Sequence, residues 1–368
     1  MKPNLLSFTG CIYCHTPLEL LSPTITPSPG SSQLPIEKGL LFCNDCSRFY
    51  PISNSVPCIL PDELRNNDED FKLLDFFSSS VNPLVLNRLK EKIGSRGEAT
   101  TTDSGLHFKQ AEMSIQTRVD DPDFFGPGFN APFNPGDPQY TAHLVKRFGS
   151  LLHLLDLNPG DPVLDIGCGY AWTTEWLMKM GFEPIGIDIT NTYIDIGIKR
   201  MNGNLPHLVV GDVENLPLLD NTFKAVLCYD AFHHIPNRKK AMTQFARILQ
   251  PNGKVVMAEP GKDHENAQVS IDVMNKYGIL EKGMNLDDVT QYCQGLPFSK
   301  PIQHTICKIE KQKSFLPVFS AAKYVDSFIF TITKTNENKQ LKHGITKNVI
   351  SNLRFLKRMY GILFQDKP

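Results

Sequence analysis

The chain has 368 residues, a formal net charge of −1 and 41% hydrophobic residues, enough for one large folded domain and one or two small ones. A balanced charge gives no general attraction to nucleic acid. No apolar run reaches the roughly 18 residues that span a membrane, and the N-terminus lacks the charged-then-apolar pattern of a signal peptide. We therefore expect a cytoplasmic protein.

Four of the nine cysteines form two C-x-x-C pairs, Cys11-Ile-Tyr-Cys14 and Cys43-Asn-Asp-Cys46. Two such pairs can bring four thiolates to one tetrahedral zinc ion. The segment between them is rich in Pro, Ser and Thr, which is typical of a long hairpin tip. The pattern predicts a structural Zn²⁺ held by these four cysteines, with reduced, unliganded thiols as the alternative. His15 directly follows Cys14 and is expected not to be a ligand.

The two pairs, with Leu5-Leu6 before them and the segment 49–61 after them, resemble the small zinc-ribbon activator subunits that partner RNA and protein methyltransferases. The resemblance covers residues 1–62 and implies a small β zinc ribbon fused to a catalytic domain. Four protein ligands would leave no open position on the zinc, so the resemblance implies a structural metal.

Residues 63–139 are predicted to be a helical and loop linker that ends in a lid. Apolar residues recur at helical spacing among charges up to about residue 97. Residues 95–121 are polar and weakly patterned, which leaves open a flexible connection or a cap over the substrate. Prolines exclude helix and central strand from residues 120–140. Phe133 and Tyr140 are candidates for contacting a bound ligand, and hydrophobic closure of the domain edge is the alternative.

The stretch from Val163 to Trp172 reads as an apolar strand, a glycine-rich turn and the start of a helix. Gly167 and Gly169 allow the backbone to turn sharply and to approach a ligand closely. Strand, turn and helix N-terminus together form the nucleotide-binding unit of doubly wound α/β sheets. The dinucleotide pattern G-x-G-x-x-G is not present, and Asp165 suits a cationic ligand better than a pyrophosphate.

The run Asp165-Ile-Gly-Cys-Gly-Tyr-Ala171 resembles the first motif of class I S-adenosylmethionine-dependent methyltransferases, although Ala171 replaces the third glycine of that family. Four further blocks resemble the family's later motifs in the same order, at residues 185–189, 209–213, 225–230 and 248–259. The resemblance covers residues 140–335. It implies an α/β, Rossmann-like fold of seven strands, with the antiparallel seventh strand inserted between the fifth and the sixth.

The same resemblance implies S-adenosylmethionine as cofactor and assigns its ligands. Asp188 would hold the ribose hydroxyls, and Asp212 with the next backbone N–H would read the adenine edge between Ile189 and Val213. The implied cofactor-binding set is Tyr140, Asp165, Gly167, Cys168, Gly169, Asp188, Ile189, Asp212, Val213 and Asp230. As alternatives, Asp188 would be a turn carboxylate, Asp212 a cap of the following turn, and Asp165 an acceptor for glycine-loop amides.

Two adjacent histidines, His233 and His234, follow the fourth strand of this domain in a segment that resembles small-molecule methyltransferases. Either could act as a general base toward an acceptor hydroxyl, thiol or amine. The alternative makes His233 a wall of the cofactor pocket and His234 a helix cap. In-line methyl transfer needs no base where positioning and exclusion of water suffice. Glu259-Pro260 and His264 are expected to line the acceptor pocket.

Residues 140–335 lack the Asn-Pro-Pro-Tyr and Pro-Cys patterns of nucleobase methylation, which favours a small-molecule, lipid-linked or sugar-linked acceptor. An RNA methyltransferase whose ribbon holds the RNA, and a non-catalytic cofactor-binding scaffold, remain as alternatives. Residues 336–368 are predicted to form a basic amphipathic helical tail. Its helix, at residues 346–364, would contact a membrane, RNA or a protein surface, and docking on its own protein or on a partner subunit is favoured.

Overall fold

The computed structural model describes residues 1–25, 35–96, 105–114, 130–201, 205–305 and 328–335. Within these ranges, eleven strands form one sheet in the order β1-β2-β3-β4-β7-β6-β5-β8-β9-β11-β10. The strands are β1 (Glu19–Ile25), β2 (Ile36–Cys43), β3 (Arg48–Ser53), β4 (Val56–Ile59), β5 (Pro162–Ile166), β6 (Glu183–Asp188), β7 (His207–Gly211), β8 (Phe223–Tyr229), β9 (Leu249–Glu259), β10 (Ile302–His304) and β11 (Phe328–Thr333).

Nine α-helices are described in the same ranges. They are α1 (Asn67–Phe76), α2 (Pro83–Gly94), α3 (Leu106–Met113), α4 (Pro138–Leu155), α5 (Trp172–Lys179), α6 (Asn191–Met201), α7 (Arg238–Ile248), α8 (Gln268–Tyr277) and α9 (Leu286–Tyr292). Helix α4 begins at Pro138, where the missing N–H is not needed, and the Asp137 side chain caps it by accepting the Tyr140 N–H. None of the helices in the described part of the chain is long and apolar enough to cross a membrane.

The centre of the sheet has the predicted doubly wound arrangement. Strands β7, β6, β5, β8 and β9 are parallel neighbours, and almost all their residues are buried because helices cover both faces. Strand β11 runs antiparallel to β9 and lies between β9 and β10, as predicted for the seventh strand. The fold is therefore the α/β, Rossmann-like fold inferred from the sequence, in a larger sheet.

The additional strands come from the N-terminal region. Strands β1 to β4 form an antiparallel meander, and β4 then pairs in parallel with β7, with Cys58 opposite Val210 and Ile59 opposite Gly211. The Gly10 N–H donates to Pro217 O at 2.9 Å, a second backbone link between the two regions. The region predicted as a separate ribbon module at residues 1–62 thus completes the methyltransferase-like sheet and covers its β7 edge.

Parts of two predicted segments lie outside the described residues. They are most of the proline-rich lid, up to residue 129, and the C-terminal tail from residue 336 onward, which includes the predicted helix at 346–364. Residues 306–327, between β10 and β11, also lie outside the described residues.

Candidate active site

The glycine-rich turn after β5 adopts a conformation that its sequence permits. Gly167 has φ +60°, and a Cβ atom there would lie 2.2 Å from the Cβ of Ala231, so only glycine fits. Gly169 also has a left-handed backbone, at φ +50°. Ala171, which stands where the resembling family has a third glycine, has φ 56° and precedes α5. A left-handed alanine costs about 1–2 kcal/mol, which explains why glycine suits this position.

A cavity of about 310 Å³ lies at the carboxyl ends of β5, β6, β7 and β8, within the size range of small-molecule sites. Eight of the ten predicted cofactor residues lie on its wall: Tyr140, Gly167, Gly169, Asp188, Ile189, Asp212, Val213 and Asp230. The other two, Asp165 and Cys168, are buried behind the wall. The structure therefore brings most of the predicted set together in one place.

Asp188 joins the end of β6 to the glycine turn. Its Oδ2 accepts the Gly169 N–H at 2.9 Å and its Oδ1 accepts the Thr190 N–H at 2.8 Å. Burial raises the pKa of Asp188 to about 6, although these hydrogen bonds oppose the shift. The carboxylate is thus fixed by two backbone N–H groups on the cavity wall.

Asp165 has a structural position that differs from the predicted one. Its Oδ2 accepts hydrogen bonds from the Thr173 and Thr174 hydroxyls, both at 2.6 Å. Burial raises its pKa to about 6. The residue anchors the first turn of α5 through side chains, and it neither faces the cavity nor binds the glycine-loop amides. Cys168 packs beside Ala171 and Ile194 in the core.

Helix α3 brings an unpredicted cation to the end of the cavity that Asp212 lines. Lys109 Nζ lies 2.9 Å from Asp212 Oδ2 and 2.7 Å from Glu214 Oε2, and only 8% of Lys109 is exposed. Burial opposes the charge, but the two carboxylates outweigh it and raise the pKa of Lys109. The alternatives for residues 95–121 were a flexible connection and a cap. Helix α3, in the described part of this range, caps the site.

Asp212 is engaged on both oxygens. Besides the lysine, its Oδ2 accepts from Asn215 Nδ2 at 2.6 Å, and its Oδ1 accepts the Glu214 N–H at 3.0 Å. The last bond caps the turn that follows β7, so the capping alternative is present in addition to the position on the cavity wall.

Arg147 is a second site residue that the sequence analysis did not identify. Its guanidinium pairs with both carboxylate oxygens of Asp230, at 2.5 and 2.7 Å, and lies 4.7 Å from the centroid of the Tyr229 ring. Arg147 is buried, and the carboxylate raises the pKa of the guanidinium. The available signal was an arginine within the apolar stripe of α4, beside Leu144 and Leu151.

The two histidines take positions that differ from those of the alternative interpretation, and the cap of the following helix α7 is Asn237. His234, and not His233, lies on the cavity wall. His234 Nδ1 is 2.7 Å from the carbonyl oxygen of Leu280, so Nδ1 carries the proton and Nε2 keeps its lone pair. Burial lowers the pKa of His234, which favours the neutral ring that a general base requires.

His233 is buried and its Nδ1 lies 2.8 Å from Glu259 Oε2. Glu259 is fully buried and also accepts the backbone N–H groups of Ala231 and His233. Although burial alone would raise it, the hydrogen bond from His233 lowers the pKa of Glu259 to about 2. Contrary to expectation, neither Glu259 nor His264 lies on the cavity wall.

The four N-terminal cysteines converge, as their spacing predicted. Cys11 Sγ lies 3.5 Å from Cys46 Sγ, Cys14 Sγ lies 3.4 Å from Cys43 Sγ, and all four sulfurs lie within 4.8 Å of one another. Thiolates on one tetrahedral zinc ion are about 3.8 Å apart, given Zn–S bonds of about 2.3 Å. The cluster therefore fits such an ion, and His15 is not a member of it.

Comparison with known proteins supports the assignment of the central domain. Residues 164–257 match the family model described as a methyltransferase domain. A phosphoethanolamine N-methyltransferase of Triticum aestivum is 28% identical over 55% of this chain and 41% of its own length. A demethylmenaquinone methyltransferase of Corynebacterium efficiens is 35% identical over 34% of this chain and 55% of its own length.

The chain thus spans about half the length of these two curated relatives. Among solved structures, a complex between the Haloferax volcanii Trm112 methyltransferase activator and a methyltransferase covers 53% of this chain and 92% of its own, at 15% identity and a TM-score of 0.43. The family model covers β6, β7, β8 and most of β5 and β9, the strands whose carboxyl ends surround the cavity.

Proposed function

We propose that this protein transfers a methyl group from S-adenosylmethionine to a small-molecule, lipid-linked or sugar-linked acceptor. The observation that carries the proposal is the cavity at the strand ends, where the glycine turn, Asp188 and Asp212 converge inside the methyltransferase domain. Ligands of doubly wound sheets bind at this edge. Asp188 would receive the ribose hydroxyls, and Ile189 and Val213 would contact the adenine.

The charge of the cavity suits a sulfonium cofactor. Its wall carries five carboxylates, which outnumber the two cations that pair with them, Lys109 and Arg147. They are Glu112, Asp188, Asp212, Glu214 and Asp230. A positively charged ligand gains from such a surface. The Tyr140 ring, also on the wall, would add a cation–π contribution of about 0.5–2 kcal/mol if it faces the sulfonium.

The nature of the acceptor is supported by the relatives and by the chain itself. The wheat and Corynebacterium relatives are named for phosphoethanolamine and demethylmenaquinone, which are both small molecules. Helix α3 covers part of the cavity, which favours a compact acceptor over a polymer. His234 Nε2, with its lone pair available, is the group best placed to take a proton from the acceptor.

The cysteine cluster is proposed to hold a structural Zn²⁺. The four sulfurs supply a complete tetrahedral set, so the ion would stabilise the fold and would not contact substrate. The RNA-binding alternative has no structural observation in its favour in the described residues. RNA binding that weakens steeply with salt would revive it.

The central claim is tested by thermal unfolding with and without S-adenosylmethionine. We expect the cofactor to raise the melting temperature of the wild type and of Asp75→Ala, a control in α1 whose carboxylate is 67% exposed. Asp188→Ala should remove the shift. No shift in the wild type at saturating cofactor would contradict the proposal. Isotope-labelled cofactor, incubated with metabolite, lipid and RNA extracts, would then identify the acceptor.

A further inference from the structure

A second group of metal-ligating side chains lies next to the cavity, and one of them, His234, lines its wall. His233 and His234 have ring centroids 3.9 Å apart, and the His264 ring lies 5.3 Å from that of His233. Glu281, from the segment between α8 and α9, is buried among them. One ligand atom each from His233, His234 and Glu281 lie within 4.8 Å of one another.

The hydrogen bonding of His233 places two acceptor atoms opposite each other, and a cation suits the space between them. His233 Nδ1 donates to the fully buried Glu259 Oε2 at 2.8 Å. In the neutral ring, Nε2 then carries a lone pair, and this atom faces Glu281 Oε2 at 3.5 Å. Two acceptors that face each other at this distance repel, unless a proton or a metal ion lies between them.

The distances and the surrounding hydrogen bonds favour a metal ion. Two ligands on one ion, with bonds of about 2.1 Å, lie about 3.0–3.5 Å apart, which is the separation of His233 Nε2 and Glu281 Oε2. Each of the three groups also has an orienting partner: Glu259 for His233, the Leu280 carbonyl for His234, and His264 Nε2 at 2.8 Å for Glu281. Metal-binding histidines and carboxylates are usually held in this way.

We propose that His233, His234 and Glu281 bind one divalent first-row transition-metal ion. Two imidazoles and one carboxylate form a ligand set that proteins use for Zn²⁺ and Fe²⁺, and they leave coordination positions open. The site is separate from the cysteine cluster, since its ligands are nitrogen and oxygen atoms of residues 233–281.

The position of His234 on the cavity wall suggests what the ion does, and an ion on His234 Nε2 would replace the general-base role of that nitrogen. An open coordination position there would bind a hydroxyl or phosphate oxygen of the acceptor and hold it toward the methyl group. This role depends on the proposed function, whereas the binding of the ion does not.

The test is a titration of the full-length, zinc-containing protein with Co²⁺, followed by visible absorption and calorimetry. We expect one equivalent to bind without thiolate-to-cobalt charge transfer, because the ligands are nitrogen and oxygen. Glu281→Gln and His234→Asn should each weaken Co²⁺ binding at least tenfold. Glu259→Gln, which acts through His233, should weaken it about 10- to 100-fold. His153→Asn, which alters an exposed histidine of α4, should bind as the wild type does.

Two results would overturn the metal site. One is a wild type that binds no Co²⁺ saturably up to millimolar concentration, which would leave a proton between His233 and Glu281. The other is unchanged affinity in both Glu281→Gln and His234→Asn. Circular dichroism establishes that each variant is folded, and S-adenosylmethionine binding in the same samples separates the two proposals. Loss of cofactor binding with Co²⁺ binding retained would refute the proposed function alone.

Discussion

Replacement of Lys109 by methionine tests whether α3 is a docked part of the active site. The substitution keeps the length and the apolar stem of the side chain and removes its charge. Asp212 and Glu214 would then face each other with side chains only 4% and 5% exposed. Removing one member of a buried ion pair costs about 3–5 kcal/mol, since the remaining charge stays buried and unpaired.

We expect the free energy of unfolding to fall by about 3 kcal/mol, the lower end of this range, because α3 can move outward and admit water to the carboxylates. With about 2 °C per kcal/mol for a chain of this size, the melting temperature should fall by about 6 °C. The double variant Lys109→Met/Glu214→Gln removes one of the unpaired charges and should regain about 1 kcal/mol or more. The amide oxygen that this variant introduces at position 214 can still accept the Asn237 N–H, which Glu214 Oε1 accepts at 2.8 Å in the wild type.

Thermal unfolding and urea denaturation at neutral pH measure these changes. The matched control is Lys179→Met, because Lys179 is 65% exposed and its partner Glu175 keeps a second cation, Arg200, at 2.5 Å. Loss of an exposed lysine of this kind should cost about 0.5 kcal/mol or less. If Lys109→Met were no more destabilising than this control, α3 would not be docked on Asp212 in solution, and the interpretation of α3 as a cap over the site would be wrong.

Three further results are expected. Removal of the proposed Zn²⁺ from the cysteine cluster by a chelator should lower both the melting temperature and the affinity for S-adenosylmethionine, because β4 pairs with β7. Unchanged affinity would mean that residues 1–62 are energetically independent. The pKa of Asp188 is raised to about 6, so its carboxylate is ionised above that pH and neutral below it. Calorimetry should therefore show constant cofactor affinity above pH 7 and a decline as the pH falls through 6, and a flat profile down to pH 5 would exclude Asp188 as the ribose ligand. Arg147→Met should cost about 1–2 kcal/mol in urea denaturation, less than a fully buried pair because Asp230 is 35% exposed; a loss below 0.5 kcal/mol would show that the pair contributes little.

The sequence alone predicted the central strands and most of the residues on the cavity wall. Apolar runs such as Val163–Ile166 and the glycines at 167 and 169 act within a few residues, so their consequences can be derived from local pattern. The strand ends then follow from the topology of a parallel sheet, which brings Asp188 and Asp212 to one edge. The cysteine pairs likewise predicted their own convergence from spacing.

Only the tertiary structure decided which contacts the less patterned segments make. Lys109 lies in a stretch with weak periodicity, and it meets Asp212 more than a hundred residues later in the chain. The pairing of β4 with β7 uses backbone hydrogen bonds, which any residues can form, so no side-chain pattern announces it. Neighbouring residues His233 and His234 bond to different partners, Glu259 and the Leu280 carbonyl, which come from two different later segments of the chain. Local pattern shows which groups are available, and the packing of distant segments decides which of them meet.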